Sequence, residues 1–436
     1  MPSIDYPANG TWPLWRKIIF RFFFIFFLFI TAPWTWLDSV PGVGYITQYY
    51  YRFDDWLVNF FNKNIFHVKD VLVPANGSGD TSYGWAQLWT YLLMAALGSF
   101  IWGITDRKRK SYNGADYWLR TIIRYYIALV AFIYGWDKIF LMQMPFPNNS
   151  QLATPLGDLL PMRFSWLFIG YSSPYQFFAG LLEMTTGLLL LFRKTVTLGL
   201  FFATGVFLNV MMLNLSYDIP VKIYSMQIEL MCLYLLLCSS KRLVSFFIVN
   251  KGAPPDTSYE ISFHKKWMHI TRIVFKIIFI ITAFGLSGYN YWQYRASVNN
   301  AAPDPFQEGM YDVITFVKNT DTIPAIITDT LRWQNIIFEK GNFGSIQTAD
   351  TLFRQRYHRA YFNFEKDSAG PNTIGIKKMQ GDSAYLFTMK YALTDSNHIK
   401  LWAKVRSDSL YMELVKSTRH FQLAEKQFHW LSEANR

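Results

Sequence analysis

Seven stretches of this chain, at about 15–37, 84–105, 117–139, 173–192, 195–215, 222–248 and 268–291, stay apolar over the ~20 residues that a helix needs to cross a hydrocarbon core. Backbone that runs through lipid must satisfy its own hydrogen bonds, so each stretch reads as an α-helix. The first two thirds of the chain is therefore expected to be a membrane α-helical bundle of about seven transmembrane helices. Composition agrees: of 436 residues 51% are hydrophobic and 19% aromatic, and only 17% are charged. Soluble globules rarely combine that balance with uninterrupted apolar runs. After Tyr294 the chain turns polar and charge-rich, which marks a second, water-exposed region.

The formal net charge of +12 lies largely in Lys and Arg beside the apolar stretches, where cations orient helices against an anionic leaflet. The expected partner is thus the lipid bilayer and not nucleic acid. Arg16, Lys17 and Arg21, the run Arg107 to Lys110, Arg193 with Lys194, and Lys241, Arg242, Lys265 and Lys266 all fall on one side if the N-terminus is cytoplasmic. Seven crossings then place the C-terminus outside. The apolar run from Ile18 to Ala32 lacks a small-residue cleavage site and reads as a retained signal anchor. The two cysteines, Cys232 and Cys238, are six residues apart in one expected helix and point to different faces, which argues against a disulfide or a redox pair.

The outer side would carry the two long connections, 38–83 and 140–172. In the first, Tyr49, Phe53, Trp56 and Phe60 recur at helical spacing, and two readings stay open: an amphipathic helix lying in the interface, or one packed on the bundle. Beyond the linker VNNAAPDPFQEG, short alternating runs separated by turn residues predict strands at 311–318, 332–339, 344–349, 359–366, 372–378, 384–392, 398–405 and 409–416. Hairpin-sized gaps make the later strands sequential antiparallel neighbours, and such a meander closes most easily into an all-β antiparallel barrel. With its glycine-led opening strand and its closing dyad LWAKVRSDSLYMELVK, the stretch 305–420 resembles a lipocalin-like barrel. It departs from that pattern in having Tyr311 where the family has tryptophan. A barrel of this size holds either packed side chains or one small ligand. The tail FQLAEKQFHWLSEANR ends in an amphipathic stretch.

Ionisable groups at membrane depth are costly and face a partner or a cavity. Arg124, Ile127, Ala131, Tyr134 and Lys138 share one face of the third stretch, and Gln176, Gly180, Glu183 and Gly187 one face of the fourth. Asn209 lies in the fifth, and Lys222, Ser225, Glu229 and Cys232 follow one another at helical turns in the sixth. Counting along antiparallel helices brings Lys138, Glu183, Asn209, Lys222 and Glu229 toward one outward-facing polar pocket, with Asp218 beside them on the approach to Lys222. The expected pairing is Glu183 or Glu229 with Lys138 or Lys222. The competing reading is a helix-to-helix polar clamp with no ligand. The seven histidines have no paired ligand spacing, so no metal site is expected. No phosphate-binding glycine loop or nucleophile elbow is present either.

The residues YGWDK at 134–138, FAGLLEMTTGLLLLFRKTVTLG at 178–199 and LNVMMLNLSYDIPVK at 208–222 resemble the DoxX family of small bacterial membrane proteins. The resemblance covers about 115–245. It implies a four-helix bundle and, for some members, a role beside quinone-linked or thiol-linked oxidation. This chain adds three further stretches and the β region, and has no cysteine suited to a thiol relay. The expected organisation is an N-terminal hairpin with an interfacial helix (1–114), a DoxX-like bundle (115–248), a cytoplasmic loop with a last helix (249–294) and a periplasmic β domain (295–436). Two functions are expected from different classes. One is a bacterial inner-membrane oxidoreductase, or a subunit of one, binding a quinone-like amphiphile. The other is a non-enzymatic envelope protein that binds a lipid-like ligand or scaffolds other membrane proteins.

Overall fold

The computed structural model describes residues 10–36, 38, 42–74, 76, 78–253, 265–299, 304–326, 329–367, 370–425 and 430–431. The chain divides into two compact units, one made of 1–143 and 173–292, the other of 144–172 and 293–436.

The first unit is helical. Its elements are α1 (Leu14–Thr31), α2 (Val43–Phe61), α3 (Ser82–Thr105) and α4 (Asn113–Ile139). In the second unit follow the single turn α5 (Asn149–Leu152) and α6 (Pro161–Tyr171). The first unit resumes with α7 (Ser173–Leu190), α8 (Val196–Ser216), α9 (Lys222–Cys238), α10 (Ser240–Phe247) and α11 (Lys266–Ile280), and a π-helical turn over Ile281–Leu286 leads into α12 (Ser287–Asn299). Among the described residues four helical stretches are long and apolar enough to cross a membrane: Leu14–Thr35, Ser82–Thr105, Val196–Ser216 and Lys266–Ser297. The pair α9 and α10, bent by 73°, makes a fifth if it is one span. The expected stretches 117–139 and 173–192 are helical as α4 and α7. They are not among the four, and the physical reason is polarity: α4 carries Asp116, Arg120, Arg124, Asp137 and Lys138, and α7 carries Gln176, Glu183, Thr185 and Thr186.

These two polar helices pack on each other more extensively than any other described helix pair. Small residues make that possible. A Cβ on Gly180 would lie 2.9 Å from the Gly135 carbonyl oxygen, and one on Gly135 would lie 2.9 Å from Met184 Cγ. Backbones therefore meet directly, the arrangement that drives helix association in lipid, where apolar burial supplies little. Leu119, Ile123, Ile127, Ala128 and Ala131 of α4 are fully buried at the expected spacing. On α2, Asp54, Leu57 and Val58 face inward, and Asp54 accepts hydrogen bonds from Gln87 Nε2 at 2.7 Å and Tyr91 Oη at 2.8 Å. Its Tyr49, Phe53, Trp56 and Phe60 are exposed. One face of the helix thus packs on the bundle, and the aromatic face is left exposed.

The second unit is a barrel. Its strands are β1 (Gly309–Lys318), β2 (Asp321–Thr322), β3 (Asn335–Glu339), β4 (Phe343–Ile346), β5 (Arg354–Arg356), β6 (Arg359–Lys366), β7 (Thr373–Lys377), β8 (Phe387–Leu393), β9 (His398–Val405) and β10 (Asp408–Lys416). Every pairing is antiparallel, in the order β10-β9-β8-β7-β6-β4-β3-β1, and β10 pairs with β1 to close a ring of eight strands. Strands β2 and β5 pair from outside that ring. Closure leaves the ring without an edge open to another chain. Large inward-facing side chains pack on one another inside it. Tyr311, Phe316, Phe338, Phe362, Phe364, Phe387, Met389 and Met412 form one buried cluster, capped by Phe306, Trp333 and Phe353. Phe306 stacks on Phe338 with ring centroids 4.1 Å apart. Tyr311, the departure from the lipocalin pattern, is among the largest fully buried side chains. The expected tail from Phe421 onward lies mostly outside the described residues, apart from the short turn Gln422–Ala424.

Candidate functional sites

Lys138 stands in the last turn of α4, where the helix dipole favours a cation. Its Nζ donates to both carboxylate oxygens of Glu183 on α7, at 2.7 and 2.8 Å. Both side chains are buried, with relative exposures of 7% and 2%. The local sequence explains the geometry. Gly135 precedes Lys138 by three residues and Gly180 precedes Glu183 by three, so the close backbone approach and the ion pair lie one turn apart on the same faces. The Tyr134 ring lies beside the ammonium, 5.5 Å from its centroid.

Other residues of the expected pocket go elsewhere. Lys222 opens α9 and bonds Asp218 Oδ1 at 2.6 Å, with Asp80 Oδ2 at 3.7 Å. The Asp80 carboxylate also accepts from the backbone N–H groups of Lys222 and Ile223 at 2.8 and 3.0 Å, and so caps α9 from far away in sequence. Asn209 is exposed on α8, on the outward face with Gly205 and Met212. The expected convergence of five residues is corrected accordingly: two salt bridges form separately, and Asn209 joins neither. The physical reason is helical phase, because it is Asn214 that turns inward on α8. Glu229 is buried at 3% exposure, and neither of its carboxylate oxygens has a hydrogen-bond partner among the described residues. The same holds for Oε1 of Gln176 on α7, at 1% exposure, and for Oγ1 of Thr204 on α8. Cys232 is buried and Cys238 exposed, both as free thiols. Among the described residues no group of three or more His, Cys, Asp or Glu is arranged to hold a metal ion.

A second buried polar cluster belongs to the barrel unit and was invisible in the sequence. Alternation in β3 sends Ile336 and Phe338 to the core and Asn335 and Glu339 to the other face. On that face Glu339 is covered by α5. Its Oε1 accepts from Ser150 N at 2.6 Å and Ser150 Oγ at 2.7 Å, and its Oε2 from Asn149 N at 3.3 Å and Asn149 Nδ2 at 3.2 Å. Ser345 Oγ donates to Ser150 Oγ at 2.8 Å, and Arg359 Nε donates to Ser345 Oγ at 2.8 Å. Arg359 Nη2 ends the chain on Asn335 Oδ1 at 2.8 Å. Burial pushes the Glu339 carboxyl up from its ordinary value against the pull of these donors, and it pushes the Arg359 guanidinium down to about 10. The cluster is a clasp, since it holds 144–172 on the outside of the barrel. Asn335, Glu339 and Arg359 fall within expected strands and are not singled out by the sequence. Only knowledge of what covers them could have marked them.

A protein of Bacillus subtilis (strain 168) named uncharacterized protein YwoB is similar to this chain, 29% identical over 124 residues, which takes in 28% of this chain and 79% of that protein. No family model matches the chain. No solved structure matches it either.

Two outcomes follow from the clusters. Removing one partner of the buried pair, by Lys138→Ala or Glu183→Ala, is expected to cost about 3–5 kcal/mol in stability, because the survivor is an uncompensated buried charge. The double change Lys138→Met with Glu183→Leu should recover most of it, as read by thermal unfolding in detergent. Single variants as stable as the parent would show that the pair contributes nothing. For Glu339, a carboxyl raised on folding binds its proton more tightly in the folded state. Its contribution to stability is therefore fully present below the ordinary carboxylate range and declines as pH rises through the raised value. Replacing Glu339 by Gln should flatten that part of the pH profile of barrel unfolding, and an unchanged slope would assign it to other groups.

Proposed function

We propose that this chain is a multi-pass bacterial inner-membrane protein of the DoxX type, whose helical bundle binds a quinone-like amphiphile as an oxidoreductase or as a subunit of one. In this reading all seven apolar stretches cross the membrane, the N-terminus is cytoplasmic and the barrel is periplasmic. The observation that carries the ligand is Glu229. A buried carboxyl with neither oxygen bonded is costly in an apolar bundle. A hydroxyl- or carbonyl-bearing headgroup would relieve it, because a carboxylate accepts from a hydroxyl and a carboxylic acid donates to a carbonyl. Gln176 Oε1 on α7 is a second buried acceptor without a hydrogen-bond partner among the described residues. Lys138 and Glu183, each satisfying the other, serve as the clamp that holds α4 against α7.

The second reading, a non-enzymatic envelope scaffold, draws on the barrel. Its inward-facing aromatic side chains form one buried cluster, which favours the scaffold version over one in which the barrel carries a lipid-like ligand. What is left to it is its outer surface, the part of a closed barrel that other membrane proteins would contact.

Protein purified from native membranes is expected to release a quinone on solvent extraction, and Glu229→Gln to lower quinone-dependent turnover by about tenfold or more. A parent protein with no bound quinone and no turnover would overturn the redox reading and leave the scaffold. Orientation has its own check in a Cys238→Ser background. A membrane-impermeant maleimide should label Ser409→Cys in intact spheroplasts and Lys108→Cys only after permeabilisation; the reverse pattern would sink the topology.

A further inference from the structure

We propose that Arg163, Arg356 and Arg359, with the Tyr361 hydroxyl, form a binding site for a phosphate group on the outer face of the barrel. The residues all belong to the second unit, and the inference does not depend on the quinone reading.

Alternation along β6 sends Ala360, Phe362 and Phe364 to the core and Arg359 and Tyr361 to the opposite face. Strand β5 runs beside it, with Arg356 opposite Arg359 and Arg354 opposite Tyr361. Only Tyr357 and His358 join the two strands, and both are left-handed, at φ +53° and +54°. A two-residue hairpin loop of that kind is ordinarily Asn-Gly, and a bulky pair there is strained. The unusual choice sets a tyrosine against two cations. The Arg356 guanidinium carbon lies 4.8 Å from the Tyr357 ring centroid, and that of Arg163, on α6, lies 6.0 Å from it. Arg163 Nε also donates to the Tyr357 hydroxyl at 3.3 Å.

Among the described residues no carboxylate is paired with Arg163, Arg356 or Arg359. Arg359 is 4% exposed, and its bonds run to neutral groups: Ser345 Oγ, the Ser345 carbonyl and Asn335 Oδ1. Its Nη1 makes no bond there. Burial disfavours its charge most and Arg419 adds to that, while Tyr361 and Glu339 act the other way. Glu339 is already engaged by Asn149 and Ser150, and Asp158 stands 3.5 Å from His358. Burial likewise pushes the Tyr361 hydroxyl up from its ordinary value, and Arg359, Arg356 and Arg163 pull against it. All three guanidiniums thus stand within electrostatic reach of one hydroxyl, which itself makes no hydrogen bond among the described residues. Solvent screens the half-buried Arg163 and Arg356 in part, but Arg359 hardly at all. A single carboxylate would offset one charge of the three. A phosphate monoester carries about −1.5 to −2 at pH 7, and its three oxygens accept from guanidinium forks and a hydroxyl together.

A soluble phosphate ester and a lipid headgroup present the same chemistry, and the test separates them. Full-length protein in a neutral detergent is titrated calorimetrically with inorganic phosphate, with short-chain phosphatidylglycerol below its micelle concentration, and with chloride at matched ionic strength. Saturable binding of inorganic phosphate, and none of chloride, is the expected result. Binding of the short-chain lipid without binding of inorganic phosphate would keep the site and assign it to a headgroup. The double variant Arg163→Gln with Arg356→Gln should weaken whichever phosphate binds by about tenfold or more, with its circular dichroism unchanged. A parent protein that binds neither phosphate probe overturns the proposal, whether or not the variant folds. It falls equally if chloride gives the same binding, or if the folded glutamine variant binds as tightly as the parent.

Discussion

A lysine and a glutamate that share one buried contact at the interface of two helices impose more on this protein than any apolar stretch does. Lys138 and Glu183 can be held away from water only as a pair, and only if α4 and α7 come close enough for the two side chains to meet. Gly135 and Gly180 supply that approach, and the packing of Leu119, Ile123 and Ile127 along the rest of α4 keeps it. The cost in apolarity is visible. Neither helix is apolar enough to be recognised as a span by composition alone, yet these two make the most extensive helix contact described. Their polarity is compensated by each other and not by lipid.

The chain between these helices is equally constrained. Residues 144–172, which leave α4 and return to α7, belong to the barrel unit. Glu339 holds them there by saturating the first turn of α5, a helix far too short to persist by its own hydrogen bonds. The barrel is thus a discontinuous unit, built from the C-terminal strands and a segment inserted between two helices of the bundle. Its ring of strands would otherwise leave Glu339, Ser345 and Arg359 uncovered, a row of polar groups whose partners come from Asn149, Ser150, Asn335 and each other.

What could be read from the sequence was what depends on near neighbours. Apolar runs of spanning length located α1, α3, α4, α7, α8, α9 and α11, and the short gaps before β9 and β10 marked their hairpins. Lys138 with Glu183 was one of four admissible pairings, chosen in the fold by the glycines beside each. What escaped were contacts between residues far apart in the chain. Asp80 caps α9 over a separation of more than one hundred residues, and Ser150 meets Glu339 over a still longer one. Asn209 failed for a different reason: helical depth can be counted from sequence, but which face turns inward depends on neighbours that the count does not include.

The distribution of unsatisfied groups then separates the two units by physics. Among the described residues, each buried side-chain nitrogen or oxygen without a hydrogen-bond partner lies in the helical unit, Arg124, Gln176, Thr204 and Glu229 among them. The barrel unit has none, although it buries Arg332, Asn335, Glu339 and Arg359. That is the reverse of what solvent alone would select, since an unbonded polar atom costs more in a medium without water to relieve it. Buried polar atoms are as a rule bonded, and those that are not call for a partner outside the fold. In the barrel the fold supplies every partner itself, so its interior and its clasp are structural. In the bundle, Arg124, Gln176, Thr204 and Glu229 keep buried polar atoms that the described residues do not satisfy, so the helical unit alone leaves polar groups that a partner could complete.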